Sequence, residues 1–285
     1  MRADLHMHST ASDGVYSPEA LMERASQAGL TLVALTDHDS VAGIAAAREA
    51  ARRRGMRLIA GVELSCGGEK EIHVLGYGFD PEDGALLRFC REHHREREER
   101  AEKMVRRLSE HGMTISLARV RELARGVIAR PHVARALIEA GYASSVSDAF
   151  DRFLLPGKCG YVPKANVRVC EAAALIHGAG GVAVLAHPMK LKMGELALGS
   201  VVREWAGQGL DGLEVYHPSA QSNHAARLCA LARELGLLVT AGSDYHGEAV
   251  SAERHLGSEC ERWKTMEEDV DALLKRIDAA KRTET

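Results

Sequence analysis

The 285-residue chain carries 37 Lys and Arg against 40 Asp and Glu, a formal net charge of −3, and 46% of it is hydrophobic. That length and apolar content allow one large or two modest domains with a sizeable core. The near-neutral balance excludes a strongly basic coat for nucleic acid, and no apolar run reaches the roughly 20 residues that span a bilayer.

Ala3–His8 reads as a first strand. Ser17-Pro18-Glu19 opens a helix, with Ser17 as N-cap and Pro18 in its first turn, and Gly29 closes it. Leu30–Thr36 is a buried strand, Ser40 to Gly55 an Ala- and Arg-rich helix, Arg57–Leu64 a third strand and Ile72–Tyr77 a fourth. From about Pro81 to Pro156 the alternation stops. Only helices are predicted there: Gly84–Gly112, Leu117–Arg125, Pro131–Ala140 and Val146–Phe153. The first is charged, with Glu96–Arg100, Glu99–Lys103 and Glu102–Arg106 spaced for i,i+4 pairs on a solvated face. Its apolar stripe is Ala101, Met104, Val105 and Leu108. Arg97 and Arg100 continue that stripe one turn toward the N-terminus, so they should face the rest of the protein.

The alternation then resumes. Val167–Ala179 is helical and Gly181–Ala186 a strand; a helix leads to the strand Gly212–Tyr216. Gln221–Leu235 is helical, Leu237–Ala241 is a seventh strand, and a last helix runs over about Thr265–Ala280, with a tail at 281–285 expected to fray. Repeated strand–helix units with apolar strands predict an α/β fold with a parallel sheet. Seven strands with polar C-terminal ends favour a closed or nearly closed barrel. An open doubly wound sheet would more often show a Gly-rich phosphate loop after its first strand, and none is present. Residues 81–156 are then a helical insertion between the barrel segments 1–80 and 157–285, placed to cover an active site.

His6, His8, Asp13, His38, Glu63, His73, His187, Asp244 and His246 nearly all lie at or just beyond the end of an apolar run. Alternation along a strand puts His6 and His8 on one face, able to chelate one ion, and Asp244 and His246 repeat the i,i+2 spacing. Imidazole with carboxylate suits zinc, manganese or iron. One ion cannot use six histidines and three carboxylates, so two or three metals with a bridging acid are expected.

The segments DLHMHSTASDG, LTDHD, GVELS, EIHVLGY, LAHP and GSDYH resemble, in order and spacing, the PHP (polymerase and histidinol phosphatase) family. Amidohydrolases also open with HxH but commonly place a carboxylated Lys after a middle strand, and no Lys stands there. The resemblance implies a distorted (β/α)7 barrel and three divalent metals, commonly Mn2+ and sometimes Fe2+ or Zn2+. The first metal would take His6, His8, Glu63 and Asp244. The second would share Glu63 and add His73 and His187, and the third would take Asp13, His38 and His246. Within the family the chain looks most like the nucleoside-3′,5′-bisphosphate phosphatases, which share the early start, the helical insertion and an IARPHVAR-like segment. That branch overlaps with 5′→3′ exoribonucleases of the RNase AM type acting on short RNAs.

Such a cluster lowers the pKa of bound water and neutralises charge on phosphoryl oxygens, so a hydroxide bridging the first two metals is the expected nucleophile. Glu63 and Asp244 then belong to the catalytic set. His217, directly after the sixth strand, is a candidate to protonate the leaving oxygen or bind phosphate. Arg130, before Pro131 at a helix start, is the leading candidate to grip a second phosphate, with Arg97 and Arg100 next and Arg135, Lys158 and Lys190 weaker. A nucleotide or a very short RNA is the expected substrate, since no extended nucleic-acid track is evident. Competing readings are another small-molecule phosphatase, such as one for histidinol phosphate, and a proofreading or accessory module of a DNA polymerase. The dispersed cysteines Cys66, Cys90, Cys159, Cys170, Cys229 and Cys260, with no CxxC pair and no secretory segment, favour a reduced, cytoplasmic protein, expected to be a monomer without a membrane.

Overall fold

The computed structural model describes residues 1–68, 71–124, 126–164, 166–251 and 253–282. Arg125, the predicted end of one insertion helix, and residues 283–285 of the tail lie outside them. Seven strands follow one another around a sheet in chain order: β1 (Ala3–Asp4), β2 (Leu32–Leu35), β3 (Arg57–Cys66), β4 (Ile72–Tyr77), β5 (Val182–Leu185), β6 (Gly212–Tyr216) and β7 (Leu238–Ala241). Helices α1 (Pro18–Gln27), α2 (Ile44–Arg53), α7 (Val169–Gly178), α8 (Glu195–Gly207), α9 (Ser222–Glu234) and α10 (Met266–Arg282) surround it, and α3 (Gly84–Glu110), α4 (Leu117–Ala124), α5 (Arg130–Glu139) and α6 (Val146–Ala149) lie between α2 and α7 in the chain.

The sheet is not wholly parallel. β4 runs antiparallel to both β3 and β5. The connection from β3 to β4 is short and carries no helix, and a parallel return needs a crossover of about a dozen residues. β1 is also shorter than predicted, ending at Asp4 rather than His8. The chain beyond it instead bonds to the chain beyond β7. Leu5 N donates to Ala241 O (3.1 Å), Asp244 N to His6 O (2.9 Å) and His8 N to Tyr245 O (2.9 Å), so the two sheet edges meet and the barrel is nearly closed. The approach is tight at Gly242, where an added Cβ would collide with the backbone and Cβ of His6.

Apolar strand residues Leu5, Leu32, Ala34, Leu75, Tyr77, Val184 and Leu238 form one buried cluster with Trp263, Met266, Val270, Leu273 and Ile277 around α10. Helices α7 to α9 pack on a second cluster and α1 and α2 on a third. Helices α3 to α6 have a cluster of their own, built on Ala101, Met104, Leu108, Val120, Val133 and Leu137. On α3 the ion pairs differ from the predicted set: Glu99 meets Arg95, and Glu98 reaches across to Arg121 of α4. No helix of the described residues is long and apolar enough to cross a membrane.

Candidate metal centre

All nine predicted ligand residues gather at one end of the barrel. Glu63, fully buried on β3, is the hub. Its Oε2 lies 3.1 Å from His6 Nε2, 3.2 Å from His8 Nε2 and 3.2 Å from His38 Nδ1. Its Oε1 lies 2.8 Å from His73 Nδ1 and 2.9 Å from His187 Nε2. Asp244 Oδ1 faces His8 Nε2 at 3.3 Å and His6 Nε2 at 3.6 Å, while Asp13 Oδ1 faces His246 Nε2 at 3.2 Å. His73 begins its strand instead of ending it. Because β4 is reversed, its start lies beside the ends of β3 and β5, at the same mouth as the other ligands.

The local backbone is bent to aim these side chains. Asp39, His187 and Asp244 adopt positive φ (47°, 30° and 51°), a conformation non-glycine residues hold only when their surroundings enforce it. For His187 the enforcement is visible: its N–H donates to Glu214 Oε2 at 2.7 Å. The other Glu214 oxygen meets His6 Nδ1 at 2.8 Å, so one buried carboxylate orients two ligand residues. Asp37 accepts from Ser9 N, Ser9 Oγ and Ser12 Oγ, fixing the loop that carries Asp13. Asp4 does the same for the loop of Asp244 by accepting from Ser243 N and Oγ and from Gly257 N. Glu214, Asp37 and Asp4 were not among the predicted site residues. The signal for Glu214 was an acid within the otherwise apolar strand GLEVY, and for Asp37 an acid beside His38 in TDHD.

The donor set fits divalent metal ions. His6 Nε2 and His8 Nε2 point at each other across 3.1 Å, a distance that calls for a shared cation or proton. Buried Nδ1 atoms of His8 and His187 have no hydrogen-bond partner, and His38 Nδ1 lies near Glu63 Oε2 without hydrogen-bond geometry. Three groups have ligand atoms close enough to hold an ion: His6, His8, Glu63 and Asp244; His38, Glu63 and His73; and His8, Asp13, His38 and His246. Burial disfavours a charged imidazole at His8, but Asp244 and Glu63 outweigh it and raise its pKa to about 9. At His38 burial prevails and the pKa falls to about 4.

Beside this cluster opens a cavity of about 440 Å³ whose wall includes Asp13, His38 and His73 at one end and Arg97, Arg100, Arg130 and Lys164 further out. Arg97 is held by Asp39, which accepts from its Nε (3.1 Å) and Nη2 (2.6 Å), and Nη2 also reaches Ser65 Oγ. Arg100 Nε donates to Val162 O at 2.8 Å. Burial, then the charges of Arg130 and Arg97, push the Arg100 guanidinium down to about 10. Arg130 pairs with Glu71 and lies over the Phe150 ring, 5.5 Å from its centroid. Arg135 sits on α5 outside the cavity wall, and Lys158 is exposed away from it. Lys164, which the sequence reading missed, donates to Cys66 O at 2.7 Å and faces the same space. His217 and Lys190 lie on another side of the cluster. His217 Nε2 is 3.2 Å and Lys190 Nζ 2.6 Å from Asp244 Oδ2.

Residues 4–142 match the model of the PHP domain. The chain is 39% identical over 247 residues to the 5′-3′ exoribonuclease Rnm of Escherichia coli, covering 85% of this chain and 84% of that protein. It is 35% identical to the 3′,5′-nucleoside bisphosphate phosphatase of Chromobacterium violaceum, over 85% and 86% of the two chains. Its fold is similar to a crystal structure assigned as a metal-dependent phosphoesterase from Bifidobacterium adolescentis, with a TM-score of 0.82, 33% identity and 96% of each chain covered.

Proposed function

The chain belongs to the PHP family of metal-dependent phosphoesterases, and from that premise we propose that it removes the 3′-phosphate of nucleoside 3′,5′-bisphosphates, leaving nucleoside 5′-monophosphate. The observation that carries this reading is the cationic cavity joined to the ligand cluster. Arg97, Arg100, Lys103, Arg130 and Lys164 line one space with Glu71, Glu96 and Glu99, and burial, followed by repulsion from Arg130 and Arg97, lowers the pKa of Arg100. An anionic handle such as a 5′-phosphate relieves that repulsion. Bound there, the substrate has its next phosphoester, at the 3′ oxygen, directed past Asp13, His38 and His73 into the ligand cluster. The same geometry serves stepwise 5′→3′ removal of nucleotides from a short 5′-phosphorylated RNA, in keeping with the exoribonuclease relative.

Three divalent ions, which we assign as manganese, would be held by His6, His8, Glu63 and Asp244; by Glu63, His73 and His187; and by Asp13, His38 and His246. When bound, they would supply an activated water and neutralise charge on the phosphoryl oxygens. The protein groups do the rest. His217 Nδ1 accepts from Ser219 N at 2.9 Å, so the proton of the neutral ring resides on Nε2, facing the cluster, where it can pass to the departing 3′ oxygen. Arg97, tied to Asp39, fixes α3 over the mouth. Free thiols at all six cysteines accord with a reducing compartment, and we place the protein in the cytoplasm.

The test compares adenosine 3′,5′-bisphosphate with a one-phosphate ester, p-nitrophenyl phosphate. Arg130→Ala should raise KM for the bisphosphate roughly 10- to 100-fold, as for loss of a charged hydrogen-bond donor, and leave the simple ester nearly unchanged. Equal effects on both substrates would remove the handle from the reading. A panel including histidinol phosphate and a 5′-phosphorylated RNA pentamer separates the remaining substrates by kcat/KM.

A further inference from the structure

Three nitrogen donors converge on a single oxygen at the side of the cluster away from the arginine cavity. Asp244 Oδ2 lies 2.6 Å from Lys190 Nζ, 2.7 Å from Arg254 Nη1 and 3.2 Å from His217 Nε2. The other oxygen, Oδ1, faces His6, His8 and His246. Asp244 is thus divided: one oxygen belongs to the ligand cluster, the other to three nitrogen donors, of which Lys190 and Arg254 are cations. The two cations come from segments that flank the cluster. Lys190 lies on a short 3₁₀ turn (Pro188–Leu191) just after His187, and Arg254 on the loop leading to α10. Their side chains are 37% and 26% exposed, so this side is open to a ligand in a way that fully buried His217 alone is not.

We propose that Lys190 and Arg254, gathered beside Asp244 Oδ2, bind the phosphoryl group under attack through the N–H donors that Asp244 leaves free. This rests on the phosphoesterase reading and adds a second cationic subsite to it. The two subsites have separate tasks. Arg100, Arg130 and Lys164 would hold the phosphate that is kept, whereas Lys190 and Arg254 would hold the one that is cleaved. In the reaction water adds to phosphorus and the P–O3′ bond breaks. The 3′ oxygen takes a proton from His217 Nε2–H, and the phosphate departs on the Lys190 and Arg254 side. When the phosphate is a diester, the shortened RNA leaves by that route with its new 5′-phosphate. Both cations strengthen toward the transition state, as negative charge on the phosphoryl oxygens grows.

The experiment uses the full chain with manganese added, as wild type, Lys190→Met, Arg254→Met and Arg130→Met. Metal per chain is measured by mass spectrometry, the Kd of inorganic phosphate by calorimetry, and kcat/KM on adenosine 3′,5′-bisphosphate and p-nitrophenyl phosphate. Lys190→Met and Arg254→Met should keep the wild-type metal content and weaken inorganic phosphate roughly 10- to 100-fold. They should also lower kcat/KM by similar factors on both esters. Unchanged phosphate affinity at unchanged metal content overturns the proposal, and so does loss of metal from the variants, which would make the two cations supports of Asp244. Failure of the handle reading appears separately, as Arg130→Met affecting both esters alike, and leaves the phosphate titration to judge Lys190 and Arg254.

Discussion

Glu63 collects five imidazoles on two oxygens, and Glu214 holds two of the residues that supply them. Their burial is equal, but their roles differ in what they touch. Glu63 faces the cluster. Glu214 sits behind it, accepting from His6 Nδ1 and from the His187 amide, which fixes the His6 tautomer and leaves Nε2 free to ligate. Glu214→Gln keeps the shape but replaces one acceptor oxygen by an NH2 group, which cannot accept from either donor. The expected result is a 10- to 100-fold loss of metal affinity in a folded protein, a typical magnitude for such supporting contacts. A manganese titration checks it, and wild-type affinity would remove Glu214 from the site. The cluster itself was legible in the sequence, because His and Asp at the ends of apolar runs have few structural reasons to be there. Glu214, Lys164 and Arg254 were not. Glu214 and Lys164 act through contacts made only when distant segments meet, and Arg254 reaches back to Asp244 across an irregular loop that carries no periodic signal.

At the scale of elements, periodicity located the strands and helices closely but not their directions. Alternation could not reveal that β4 is reversed, because a strand's apolar pattern reads the same either way. The docking of the insertion was half legible: the stripe placed Arg97 and Arg100 inward, and Asp39, the partner of Arg97, was unforeseen. The insertion also touches the ligand loop directly, Val127 N donating to Ser12 O at 3.2 Å. His132 makes the α5 end of this docking sensitive to pH. It is 4% exposed and its Nδ1 accepts the Ala129 N–H at 3.0 Å. Burial lowers its pKa to about 4 from the ordinary 6.5. The folded state therefore binds fewer protons than the unfolded state in that interval. The contribution is full above about pH 6.5 and is lost as pH falls through about 4. His132→Gln preserves an acceptor and cannot titrate. The difference in unfolding free energy between wild type and variant should vary between those pH values and flatten above them, with amide exchange localising the change to α5. A constant difference would mean that His132 titrates alike in the folded and unfolded chain.

For the whole molecule, the ligand cluster and the insertion place different demands on stability. Every ligand residue comes from the barrel segments, from the ends of β1 to β5 and the turn after β7, and several are held only by one another. The cluster brings Asp13, Glu63 and Asp244 together with six histidines in a largely buried space, where unpaired groups are costly. Ions that bind the folded barrel and not the unfolded chain stabilise it by mass action, about 2.7 kcal/mol at a free concentration 100 times Kd. For a chain of this size that corresponds to a Tm shift of roughly 5 to 10 °C. Helices α3 to α6 supply no ligand, and the C-terminal half of α3 with α4 to α6 packs around its own apolar cluster. Chelation should therefore lower the Tm of the barrel by that amount and raise amide exchange in β3, β4 and the turn after β7, while α3 near Met104 and Leu108 keeps its protection. Manganese should restore both. A chelated protein with unchanged Tm and unchanged exchange at β3 would mean that the histidines and carboxylates satisfy one another without metal, and the cluster would then be a hydrogen-bonded core in place of a metal centre.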